Sequence, residues 1–140
     1  MKVRFEKGLL GLEEFKNYEI EEIEDNEDFK VLKSLDDSDI SLVIISPFKI
    51  RSDYEIKLSE DVINNLKIDN EKEVLLYTTV TLNSDMKKTT SNLRAPLVIN
   101  VKNCTGEQII LNKECYKIKH PILEERERCW LLLEKKGSLY

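Results

Sequence analysis

The side chains best suited to chemistry in this 140-residue chain are one histidine, three cysteines and several carboxylate runs. Cys115 and His120 are close enough in sequence to suggest a thiolate–imidazole nucleophile pair, but that chemistry needs an exposed thiol with a stabilised anion. Nothing else supports it, since the chain has no Gly-rich phosphate loop. His120 precedes Pro121, which biases it to extended backbone, so it reads as a structural or partner-contacting histidine. Cys104, Cys115, His120 and Cys129 are the right ligand types for zinc. Structural zinc sites draw ligands from close pairs, and none exists here. Asp36-Asp37-Ser38-Asp39 is dense in oxygen ligands yet lacks the glycine and terminal glutamate of a calcium loop. The expectation is a non-enzymatic protein with no catalytic residue, metal or cofactor.

Composition narrows what such a protein would bind. Acidic residues outnumber basic ones 27 to 22, giving a net charge of -5, so the mean field repels phosphate backbones and favours a basic protein partner. Direct nucleic-acid binding is disfavoured. A small nucleic-acid-binding β-barrel remains the alternative from another class, because a local basic patch can override the average. Neither an N-terminal apolar leader nor a run of about 20 apolar residues is present, which argues against a membrane. Three cysteines without a close pair suit free thiols in a reducing compartment, so the expected location is the cytoplasm. The length suits one domain.

The elements that would position these groups read mainly as strands. Val74 to Leu82 is rich in β-branched and aromatic residues, and Val74, Leu76, Val80 and Leu82 fall on one face, expected to be core. Leu42 to Ile45 and Gln108 to Asn112 look like central strands, the second following Thr105-Gly106 read as a turn. Shorter candidates are Val3 to Glu6, Tyr18 to Ile23, Phe29 to Ser34, Tyr54 to Leu58 and Leu97 to Lys102. Ser59 can cap a short helix with Glu60 and Asp61 at its positive end and Val62, Ile63 and Leu66 on one face. Leu12 to Lys16 is a second, smaller helical candidate. The fold class is therefore mainly β: a small antiparallel barrel-like domain with one or two short helices.

Two loops stand out. Asn92 to Asn100 is nearly free of charge in a chain that is 35% charged, and Pro96 lacks the N–H that a ladder needs, so it opens a strand or lies at an edge. Such a stretch is core or contact surface. Phe48, directly after Pro47, is expected to cap the core, with a groove as the other reading. Acidic residues recur from Glu19 to Asp28 and from Asp36 to Asp39; they solvate edges or face a basic partner.

Several short patterns follow one another along the chain: Gly8-Leu9-Leu10-Gly11-Leu12-Glu13-Glu14-Phe15, Ser34-Leu35-Asp36-Asp37, Pro47-Phe48, Tyr54-Glu55 with Leu58, and Val80-Thr81. Asn92-Leu93 with Ala95-Pro96, Val98-Ile99-Asn100, Gly106 with Gln108, Ile110-Leu111, Tyr116 and His120-Pro121 complete the set. In order and spacing they together resemble the bacterial flagellar assembly factor FliW family. Ser46 departs from the pattern, since the family often carries an acidic residue there. The resemblance implies a β-barrel-like binding protein, monomeric when free, that captures flagellin in the cytoplasm. Once flagellin is exported, it would bind and antagonise CsrA, a small basic translational regulator, away from CsrA's RNA-contacting surface. The residues expected near a partner surface are Asp36, Asp37, Phe48, Tyr54, Asn92, Leu93 and Pro96. The barrel domain is expected to span 1–121. Residues 122–140, with the apolar block Cys129 to Leu133, read as a helical or docking extension.

Overall fold

The computed structural model describes residues 1–123. The strands are β1 (Lys2–Phe5), β2 (Asn17–Ile23), β3 (Asn26–Ser34), β4 (Ser41–Ile45), β5 (Val74–Thr81), β6 (Thr90–Ser91), β7 (Leu97–Asn100), β8 (Thr105–Gln108) and β9 (His120–Pro121), with one helix, α1 (Glu60–Leu66). They hydrogen-bond in the order β4-β3-β2-β1-β8-β7-β5, and β4 pairs again with β5 through Val43↔Val80 and Ile45↔Thr78. The sheet is thereby a closed seven-stranded barrel, which leaves no free edge among those strands. β6 extends along β5 beyond β7, and β9 pairs with β6. The fold is mainly β as expected, with one refinement: β1 and β8 run parallel, Arg4 opposite Thr105 and Phe5 opposite Gly106.

Alternation along the strands fills the barrel. Val3 and Phe5, Tyr18 and Ile20, Leu32, Ile44, Leu97 and Ile99 point inward and form one buried cluster with Leu9. Strand β7 is buried on both faces. Leu97 and Ile99 enter the barrel, while Val98 packs outward on Val62 and Leu66 of α1. That double burial explains the missing charge from Leu97 to Asn100.

Helix α1 has only seven residues, too few to persist alone, so its ends and packing decide it. Ser59 Oγ accepts from the Val62 N–H at 3.3 Å, as the sequence predicts. The other end closes through Lys67 at φ 53°. Buried Asn100 donates from Nδ2 to the Leu66 and Lys67 carbonyls at 2.8 and 3.3 Å, tying the helix to β7.

Several expected elements are placed differently. Gln108 to Asn112 is not a strand: β8 is Thr105–Gln108, and Ile110 is 64% exposed. The turn lies upstream, through residues 101–104, with Cys104 at φ 57°. Gly106 is a strand residue chosen for space, because a Cβ there would lie 2.5 Å from a ring carbon of buried Phe5. Leu82 lies beyond β5 and is 61% exposed, so it does not join the core face. Leu12 to Lys16 forms turns, with Leu12 and Phe15 N–H groups bonding three residues back, and no helix. Tyr54 to Leu58 alternates in burial like a strand yet joins no ladder. The Tyr116 hydroxyl accepts from the Glu55 N–H at 2.8 Å and donates to its carbonyl at 3.0 Å, taking the bonds a neighbouring strand would otherwise make.

Candidate partner-binding surface

The seven expected contact residues separate into two groups at opposite ends of β3. Phe29 of β3 sits opposite Ile45, just before the Pro47-Phe48 turn, whereas Ser34 ends the strand next to Asp36. Five residues of strand put these ends roughly 17 Å apart.

At the first end, three loops converge on stacked tyrosines. Tyr54 lies 4.6 Å from the Tyr116 ring centroid and meets Phe48 edge-on at 5.9 Å. Tyr54 is buried and donates its hydroxyl to the Leu93 carbonyl at 2.8 Å. Burial pushes its pKa well up, with the neighbouring Tyr116 adding to the shift, so the phenol stays a donor at neutral pH. Asn92 Oδ1 accepts from the Arg94 and Ala95 N–H groups at 3.1 and 3.2 Å, turning the chain toward Pro96. Pro96 then precedes β7, so it opens that strand, and its carbonyl accepts from Ile109 N–H at 3.1 Å. Leu93 and Pro96 are buried with Tyr54. These three side chains are buried and hold the loops from beneath. Phe48 is 48% exposed, so it does not cap the core; it is Pro47 that is buried, and Phe48 stands on the Tyr54 edge facing solvent. Asn92 is half-buried.

The second end is a carboxylate corner. Asp36 is exposed, and its Oδ2 accepts from the Lys16 and Asn17 N–H groups at 2.8 and 3.0 Å while Oδ1 accepts from Asn17 Nδ2 at 3.1 Å. These bonds, the Asn17 backbone first, hold its pKa below the usual carboxylate range. Ser34 Oγ accepts from the Asp36 and Asp37 N–H groups, and Asp37 Oδ1 from the Asp39 N–H. Asp36 is thus a tether with a solvent face, and Asp37 is the freer of the two.

Between α1 and β5 the surface opens into a groove of about 510 Å³. Ile56, Leu58, Ile63, Ile68, Val74 and Leu76 line it, and Lys57, Asp69, Asn70 and Glu71 stand around it. Among the described residues no three His, Cys, Asp or Glu side chains could hold a metal ion. Cys104 is half-buried and Cys115 exposed; Cys129, the remaining zinc candidate, lies outside the described residues. No helix among the described residues is long and apolar enough to cross a membrane.

The family model described as "FliW protein" matches residues 1–122. The chain belongs to the FliW family. It is 51% identical to a flagellar assembly factor FliW of Clostridium tetani over 127 residues, 91% of this chain and 88% of that protein. A second FliW, from Clostridium beijerinckii, is 51% identical over 121 residues, 86% of each chain. The crystal structure of a flagellar assembly factor FliW superimposes with a TM-score of 0.83 at 37% identity, covering 89% of this chain and 87% of that one. The chain is accordingly a flagellar assembly factor with the FliW barrel.

Tyr116, Arg51 and Arg94 escaped the sequence reading as site residues. Arg94 Nε donates to the Tyr116 carbonyl at 2.9 Å, and the Arg51 guanidinium sits 5.0 Å from the Tyr116 ring centroid. Their partners lie 22 and 65 positions away in the chain, so no local pattern announces them. The groove left a fainter signal in Ile56, Leu58, Ile63 and Ile68, whose apolar character exceeds what one short helix needs.

Proposed function

We propose that this FliW-family protein binds flagellin and, once flagellin leaves, binds and antagonises CsrA in a mutually exclusive complex. The observation that carries this reading is the apolar groove beside α1, set in an acidic chain of a flagellar assembly factor family. An amphipathic flagellin helix would lay its apolar face on Ile56, Leu58, Ile63 and Leu76, a recurrent mode of helix recognition. A basic regulator would meet the carboxylates, with exposed Asp36 and half-buried Asp37 at one corner and exposed Glu21, Glu24, Asp25 and Glu27 around the β2–β3 hairpin. Phe48 and Asn92 supply further contacts at the aromatic end, while Tyr54, Leu93 and Pro96 support them from beneath. The protein acts in the cytoplasm as a monomer when free, without catalysis.

Calorimetry with purified flagellin and CsrA, separately and in competition, tests the reading. Heat of binding with each, and loss of the CsrA signal when flagellin is present, is the expected result. Absence of heat and of co-elution with both partners overturns it.

A further inference from the structure

We propose that the surface formed by residues 86–94 and 113–119 is a docking site for a short segment of a partner protein that combines acidic and apolar side chains. The two stretches are distant in sequence and joined in the fold. Leu93 N–H donates to the Lys117 carbonyl at 3.0 Å, Arg94 Nε donates to the Tyr116 carbonyl at 2.9 Å, and Ser91 of β6 pairs with His120 of β9. Together the stretches hold six cations, Lys87, Lys88, Arg94, Lys113, Lys117 and Lys119, against one anion, Glu114, a net +5. The chain as a whole carries -5.

Among the described residues six ion pairs form, and none of them includes any of these six cations. Two of the six are held by neutral groups instead. Arg94 bonds the carbonyls of Tyr116 and Glu114, while Lys113 Nζ donates to the Glu55 carbonyl at 3.4 Å and lies 5.7 Å from the Tyr116 ring centroid. Their positions are fixed and their charges uncancelled. Lys88, Lys117 and Lys119 are exposed. Like charges gathered this way raise a local positive potential, which is complementary to an anionic partner. Ile118, 55% exposed between Lys117 and Lys119, adds an apolar contact that suits a peptide better than a phosphate backbone. Length favours a peptide too: with -5 on the whole chain and +5 here, the remainder carries -10, so a nucleic acid running past the patch meets like charge. A short acidic segment ends within it. This surface does not depend on the flagellin and CsrA reading, and its failure would leave that reading standing.

A fluorescein-labelled peptide of Glu-Glu-Leu repeats, titrated with the full chain and followed by anisotropy, tests the surface without any natural partner. The expected result is binding at low ionic strength that weakens as salt is added. Lys117→Glu combined with Lys119→Glu should weaken it by roughly tenfold or more, with unchanged circular dichroism. Lys2→Glu combined with Lys33→Glu makes the same change in net charge on β1 and β3 and should leave binding close to that of the unsubstituted protein. If the first pair disturbs the fold, Lys117→Gln with Lys119→Gln removes the charges without reversing them and should still weaken binding several-fold. A peptide that fails to bind at low salt overturns the proposal, whether the lysines simply stay solvated or Glu124 and Glu125, next in the chain, neutralise them. Equal losses from the two pairs overturn it as well, since net charge alone then explains the binding. Tighter binding of a single-stranded oligonucleotide, lost with the same Lys117 and Lys119 substitutions, overturns the assignment to a protein segment.

Discussion

The aromatic end and the Asp36 corner both satisfy loop backbone, and they do so in opposite media. At the aromatic end, buried phenols do the work: Tyr54 bonds the Leu93 carbonyl, and Tyr116 takes both polar groups of Glu55. At the corner an exposed carboxylate collects two N–H groups and an amide. A hydrogen bond removed from the interior leaves its former partner unsatisfied, whereas water replaces a bond lost at the surface. The aromatic end should therefore be costly to alter and the corner tolerant but dependent on pH.

The sharpest way to break this contrast is Tyr54→Ala, which removes a buried ring and its bond to Leu93; a loss of about 3–5 kcal/mol is expected by urea denaturation. Tyr54→Phe keeps the ring and isolates the hydrogen bond, with an expected loss of about 1–3 kcal/mol for the stranded Leu93 carbonyl. Tyr116→Phe should cost about 1 kcal/mol, since Glu55 is itself exposed and water can take over part of the bonding. Phe48→Ala should change stability by no more than about 0.5 kcal/mol, yet weaken partner binding measured by calorimetry, because half of its ring already faces solvent.

Asp36 gives the smallest effect and the one with a pH signature. Its folded-state pKa lies below its unfolded value near ~3.9, so its contribution is complete at neutral pH and lost as pH falls through the folded value. Asp36→Asn should flatten that acid limb in thermal melts recorded across pH, its small loss showing at neutral pH and vanishing in acid. A fall in neutral-pH stability matching that of Tyr54→Ala would erase the distinction between the two ends.

Legibility in the sequence followed the range of the interactions. Helix α1 was readable because its cap, its acidic first turn and its apolar face lie within a few residues of one another. Strands β2 to β5 were readable from alternation or β-branched runs, though their ends shifted by a few residues. Gly106 misled, because glycine serves turns and tight packing alike, and only the Phe5 ring across the β1–β8 pair tells which applies. Tyr54 to Leu58 misled for a related reason: its period of two is real, but its polar groups bond the distant Tyr116 hydroxyl. Among the expected contact residues, Asp36, Asp37, Phe48 and Asn92 keep solvent-facing atoms, while Tyr54, Leu93 and Pro96 proved to be buried.

By itself the sequence determined the β class, the acidic surface, the capped helix and, through the ordered set of short patterns, the FliW family. Each depends on residue type and local spacing, which the chain carries openly. Only the tertiary structure decided that β7 is buried on both faces, that the barrel closes through β4 and β5, and that an apolar groove lies beside α1. Those features arise where segments far apart in the chain meet. Burial belongs to the meeting of two surfaces, and a residue's own type does not reveal what will cover it.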